Sequence, residues 1–267
     1  MAFSSLQSAS AATSQQVAFE GAPPVVSKLQ KKRAKAQGKE IELQPGIPLN
    51  GDIHLPDGAA LHPAVILLHG CETSSAWLSA WTKRLNSWGY AVLTFNSFAP
   101  RKVETVCKDP YKIHPGIRAN DITGAMIYLR TRGDILADRI AAMALTHGAW
   151  SLLYALTPDI LLDQKPLAAA LAIYPMCGPF SAYTAPLLLL RGERRHKTAT
   201  NRCDEFAPKV PNKHGTTVRT YKDSDHPIEV FAASDTSSNN LATATTAQDH
   251  ALISEIEGFL NTHLKAE

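Results

Sequence analysis

The sequence predicts an α/β fold: a mostly parallel sheet with helices on both faces. Three observations predict it. Continuous apolar runs recur at 63–69, 91–95, 139–145, 167–174 and 187–190, as in strands buried on both faces of a parallel sheet. Segments with apolar residues at helical spacing lie between several of them. Runs and segments alternate along the chain, which is the order of βα units.

Each element has its own signal. Strand candidates at 40–43 and 52–55 are separated by Pro45-Gly46, and Pro56-Asp57-Gly58 makes a turn. The run 63–69 is the first buried strand. Residues 74–88 carry Trp77, Trp81, Leu85 and Trp88 on one helical face, and Gly89 stops the helix. The three tryptophans read as core packing rather than as an aromatic ligand stripe. The strand 91–95 follows, then a long loop at 97–115 and a helix at 117–130 that ends before Gly133. The strand 139–145 leads into a helix at 147–156. Strands at 167–174, 187–190 and 216–221 come next, and a helix at 249–264 closes the chain with Leu252, Ile253, Ile256, Leu260 and Leu264 on one side.

The chain has 267 residues, 45% hydrophobic and 19% charged, enough for one large domain with a substantial core. Residues 1–37 read as a flexible N-terminal segment, and 38–267 as a single domain. No apolar run reaches the roughly 18 residues of a membrane span. The first residues lack the hydrophobic centre of a complete signal peptide. They read as a tail or as the remnant of a trimmed export signal. The net charge is +3 and the basic residues are spread out, apart from a cluster at 28–35. That cluster reads as a solvated stretch, so no nucleic-acid partner is expected. Oligomeric state is not encoded legibly.

The chemistry lies where apolar runs end, because parallel sheets carry their reactive loops beyond the carboxyl ends of the strands. The ends are His69-Gly70-Cys71-Glu72, Leu145-Thr146-His147-Gly148, Arg191-Gly192-Glu193-Arg194-Arg195 and Asp225-His226-Pro227. The second reads Ala144-x-Thr146-x-Gly148, the layout of a nucleophile elbow with threonine in the serine position. Oxyanion loop, nucleophile, acid and histidine then follow in the chain order of an α/β-hydrolase. Thr146 is the nucleophile candidate and His226 its base. Backbone N–H groups at Cys71 or Glu72, with that of His147, are candidates to hold an oxyanion. His69 reads as support for the oxyanion loop, and the His147 ring as packing near the pocket.

The stretch 63–206 resembles the dienelactone hydrolase family. The matching blocks are LLHGCETSSAW, WGYAVLTFNSFAPRKVETVC, ALTHGAW, AIYPMCGPF and PLLLLRGERRHKTATNRC, and His226 falls in the family's histidine position. The resemblance implies the α/β-hydrolase fold, hydrolysis of small-molecule esters or lactones, and no cofactor or metal.

Two departures stand against it. The family has Ser or Cys where this chain has Thr146, and an Asp where it has Arg195. An elbow residue takes a positive φ, which costs a β-branched side chain on the order of 1–3 kcal/mol. A cation at Arg195 disfavours the imidazolium that must form on His226. Glu193 is the nearest replacement acid, with Asp109, Asp121, Asp223 and Asp225 as further options. Arg194, Arg195, His196 and Lys197 read as a solvated basic turn; if Arg101, Arg194 and Arg195 converge, they read instead as a site for a carboxylate or phosphate. Two functions follow: a hydrolase with an altered triad, or a catalytically silent homologue that binds small molecules or partners.

The four cysteines form no CxxC pair, so zinc is not expected. They stand either as reduced thiols or as the disulfides 71–107 and 177–203, each bracing a loop on the site face. Cys71 is alternatively a reactive thiol. Pairing implies an oxidising compartment, which favours a periplasmic or secreted location over a cytoplasmic one.

Overall fold

The structure is a computed structural model. It describes residues 13–26, 28–41, 44–58, 61–73, 75–161, 164–192, 203–221 and 247–265. Among them, eight strands form one sheet in the order β1-β2-β4-β3-β5-β6-β7-β8. The strands are β1 (Thr13–Glu20), β2 (Pro48–Leu55), β3 (His62–Leu68), β4 (Ala91–Phe95), β5 (Ile135–Leu145), β6 (Ala169–Ile173), β7 (Leu187–Gly192) and β8 (Thr216–Tyr221). β1 and β2 are antiparallel additions at one edge, and every pairing from β4 through β8 is parallel.

The apolar runs become the centre of the sheet because both of their faces are covered. On one face, Ile66, Ala142 and Ala170 pack under α3 (Pro115–Thr131) and α4 (Thr146–Ala155). On the other, Val65, Met143 and Leu171 pack under α2 (Ser75–Ser87) and the closing helix (Ala247–Leu264). Trp77 and Trp81 are buried in that second layer, which bears out the packing reading of the tryptophan stripe. His114 caps α3 by accepting the Gly116 N–H at 3.1 Å, and Pro115 occupies the first turn, where no N–H is needed.

The sequence reading is corrected at the N-terminal side. Residues 13–20 belong to the stretch read as flexible, yet they form the edge strand β1, paired along its length with β2. Phe19 anchors it, edge-on to Phe95 at 5.3 Å and stacked on Tyr128 at 5.4 Å. A helix, α1 (Lys28–Ala36), follows and contains the basic cluster. Of the strand candidate at 40–43, residues 40 and 41 are not in a strand, and 42 and 43 lie outside the described residues.

Register places the strand ends together. Leu68 pairs with Ala144, Leu145 with Ile173, Ile173 with Leu190, and Gly192 with Tyr221. The carboxyl ends of β3, β5, β6, β7 and β8 therefore lie along one rim of the sheet.

Candidate active site

Thr146 makes the turn from β5 into α4. Leu145 is still extended (φ −110°, ψ 138°) and Thr146 is left-handed, with φ 46°. The chain thus reverses from strand to helix within one residue, as an elbow requires. Two glycines permit the close packing around it. A β-carbon on Gly70 would sit 2.5 Å from Thr146 Oγ1, so the hydroxyl lies against the start of the oxyanion loop. A β-carbon on Gly148 would collide with the His69 carbonyl oxygen, so any larger residue would push α4 off the end of β3.

The loop after β3, the candidate oxyanion loop, is braced on both sides. Cys71 is bonded to Cys107, and the Cys71 carbonyl accepts the Val106 N–H at 2.8 Å and the Thr105 hydroxyl at 3.2 Å. Glu72 is exposed and bridges to Thr105. The second disulfide joins Cys177 to Cys203. Both expected pairings are formed, so Cys71 is no free thiol.

Two histidines near the elbow have both ring nitrogens engaged. His69 Nε2 accepts the Ser97 N–H at 3.3 Å, and its Nδ1 faces the Gly70 carbonyl at 3.2 Å. His147 Nε2 donates to the Pro110 carbonyl at 2.8 Å, and its Nδ1 accepts from Arg118 Nη1 at 2.8 Å. Burial, reinforced by the Arg118 charge, holds His69 well below its ordinary pKa and pushes His147 down to about 4. Both rings are neutral and structural at neutral pH.

Sequence reasoning missed Arg118, which is fully buried. Besides His147, it donates to the Gly70 carbonyl at 3.1 Å and the His69 carbonyl at 2.8 Å, and its guanidinium lies 4.7 Å over the Phe98 ring. Burial lowers its pKa to about 9, and Asp121 opposes that shift, so it stays charged at neutral pH. A signal was available. Arg118 is in helical phase with Ile122, Ala125 and Leu129, all buried.

The remaining candidates divide clearly. Arg101 grips both oxygens of the buried Asp121 at 2.8 and 2.9 Å and donates to the Ser97 carbonyl at 2.6 Å. It is therefore committed to an internal pair rather than to an anion site, and Asp121 is not available as the acid. Asp109 accepts the Tyr111 N–H in an exposed turn. Glu193, Arg194, Arg195, Asp223, Asp225 and His226 lie outside the described residues. A groove of about 720 Å³ opens beside the loop, lined by His69, Thr73, Asp52 and Asn96 among others. Thr146 is not among the described residues that line it.

No protein-family model matches the sequence. No curated protein matches it either. Solved structures share its architecture. A dienelactone hydrolase-like promiscuous phosphotriesterase from metagenomic libraries superposes with a TM-score of 0.60 at 15% identity, over 95% of this chain and 99% of that one. A Klebsiella pneumoniae protein described as a dienelactone hydrolase gives 0.58 at 15%, over 92% and 98%. A Paenibacillus acetyl xylan esterase gives 0.55 at 16%, over 80% of each. The chain has the α/β-hydrolase fold. At these identities the likeness is one of fold. Within the fold, β5 and α4 meet at Thr146, and the loop after β3 packs against it.

Proposed function

We propose that the chain hydrolyses carboxylic esters or lactones of small molecules. Thr146 is the nucleophile, His226 its base, and Glu193 or another carboxylate at the rim orients the imidazole. The observation that carries this reading is the backbone of Thr146. A β-branched residue at φ 46° stores on the order of 1–3 kcal/mol, and such strain persists where structure over-determines it for a task. Support also comes from β7 and β8, which end at Gly192 and Tyr221 on the same rim, directly before Glu193 and shortly before His226. The neighbouring folds include proteins described as a dienelactone hydrolase and an esterase.

In the proposed reaction Thr146 Oγ1 attacks the carbonyl carbon and its proton passes to His226. The carbonyl electron pair moves onto oxygen, which accepts hydrogen bonds from the backbone N–H groups at Cys71 or Glu72 and His147. Collapse expels the alcohol, which takes the proton back from His226. Water then cleaves the acyl-threonine by the same route. No cofactor enters. The two disulfides fit an oxidising compartment, and we read the chain as periplasmic or secreted.

A second reading is a catalytically silent homologue that keeps the fold for binding. It is favoured by Arg195 in the acid position, and by the engagement of both His69 and His147, so that neither can replace His226 as base. Hydrolysis of short p-nitrophenyl esters separates the two. Wild-type turnover abolished in His226→Ala and raised in Thr146→Ser supports the enzyme. Turnover that appears only in Thr146→Ser combined with Arg195→Asp supports the silent homologue.

A further inference from the structure

We propose that Arg118 is a positioning residue for this reaction: from beneath the oxyanion loop it aims the Cys71 amide and supplies a positive charge that favours the anionic intermediate. The inference rests on the hydrolase reading above.

The first argument is geometric. In a trans peptide the carbonyl of one residue and the N–H of the next point in opposite directions, and the described residues hold no cis peptide bond. Arg118 Nη1 binds the Gly70 carbonyl at 3.1 Å, which turns that oxygen down into the buried layer. The Cys71 N–H on the same peptide is therefore turned away from the guanidinium. At the next peptide, the bonds from Val106 and Thr105 fix the Cys71 carbonyl, and with it the opposite direction of the Glu72 N–H. Another arm of Arg118 reaches the ring of His147, the residue whose backbone N–H is the other candidate donor. One rigid guanidinium thus ties together both halves of the oxyanion hole. A lysine ammonium would keep the charge, but a point donor on a flexible stem would not hold the three acceptors in plane.

The second argument is electrostatic. Arg101 and Arg118 bring two positive charges to this buried cluster, and Asp121 brings one carboxylate, which Arg101 holds through both oxygens. His69 and His147 are neutral. Asp121 acts on both arginines but is hydrogen-bonded only to Arg101, so among the described residues of this cluster two positive charges share one carboxylate. A buried charge that is only partly compensated is costly. The negative charge that would balance it is the one that develops on the substrate oxygen at the loop Arg118 supports.

The test compares wild type, Arg118→Met and Arg118→Lys, with sites titrated by fluorophosphonate and folding checked by circular dichroism. Steady-state hydrolysis of p-nitrophenyl acetate is read beside inhibition by an alkylboronic acid, which forms an anionic tetrahedral adduct. Arg118→Met is expected to lower kcat per titrated site roughly 10- to 100-fold, less than loss of a direct oxyanion donor. Boronate affinity should fall in parallel, with KM changed by less than about threefold. Arg118→Lys should restore part of kcat. A purely structural role would lower thermal stability and leave kcat per site intact. If Arg118→Met does not fold, Arg118→Lys decides, with an expected loss of kcat beyond about twofold. Folded variants with wild-type kcat and boronate affinity overturn this inference while leaving the hydrolase reading standing. A wild type with neither turnover nor boronate adduct overturns both.

Discussion

The hydroxyl of Thr146 lies 2.5 Å from the position a β-carbon on Gly70 would take. The proposed nucleophile and the loop after β3 are therefore packed against each other without room for a methyl group. Adding that methyl separates their roles. In Gly70→Ala the atom met is a side-chain oxygen that can rotate away, so the expected stability loss is about 1 kcal/mol. Fluorophosphonate labelling of Thr146 should drop at least about tenfold as the hydroxyl leaves its position. In Gly148→Ala the obstacle is the His69 backbone carbonyl, which has no rotamer to change. That variant should lose roughly 3 kcal/mol or more. Urea melts and labelling rates on the two proteins check the contrast, and equal losses of stability would refute it.

The disulfides differ in access. Cys107 is exposed and Cys71 half-buried, whereas Cys177 and Cys203 are buried. Mild reduction followed by alkylation and mass spectrometry should tag Cys71 and Cys107 first. Opening a link that spans 36 residues removes up to about 4 kcal/mol of chain-entropy stabilisation. It also frees the loop that carries the Cys71 and Glu72 amides. Ester hydrolysis should decline in step with alkylation of this pair. Full activity in the selectively reduced protein would show that the loop holds its shape without the bond.

Acid sensitivity follows from the neutral histidines. His147 has its pKa pushed down to about 4, from 6.5 in an unfolded chain. The sign is that of a depressed group: its contribution is fully present above pH 6.5 and is lost as pH falls toward 4, because the unfolded chain takes up the proton first. The difference amounts to roughly 3 kcal/mol from this residue, and His69 acts in the same direction. The urea midpoint should therefore fall steeply between pH 6.5 and 4. His147→Asn, which keeps an acceptor for Arg118, should flatten part of that slope. An unchanged slope in the variant would remove His147 as a cause.

What was legible in the sequence was what is local or doubly buried. The strands from β3 to β7 read clearly because both faces are covered, and the elbow because strand, hydroxyl and glycine are contiguous. The edge strand β1 did not read. Thr13 to Gln16 are exposed, and their pairing depends on β2, more than thirty residues away. Arg118 was passed over because a charged residue on a helix is read as facing water, although its phase with Ile122 and Ala125 placed it inside. Arg101 invited an anion-binding reading because its partner, Asp121, meets it only when α3 packs beside the loop. Glu193 and His226 are proposed from chain order together with the strand ends that precede them, and both lie outside the described residues.

The strain at Thr146 gives the sharpest separation of stability from function. Glycine adopts a positive φ at no steric cost, whereas a β-branched residue there stores on the order of 1–3 kcal/mol. Glycine loses roughly 0.5–1 kcal/mol of that gain to its freer unfolded chain. Thr146→Gly is therefore expected to be more stable than wild type by about 1 kcal/mol, while losing fluorophosphonate labelling and ester hydrolysis entirely. Thr146→Ser keeps the hydroxyl and sheds the methyl, so it should gain a smaller amount of stability and label faster. Chemical denaturation of the three proteins under one set of conditions reads the order directly. A Thr146→Gly protein clearly less stable than wild type would mean that the threonine methyl packs better than its backbone is strained. The positive φ at the elbow would then lose its standing as evidence of a retained nucleophile.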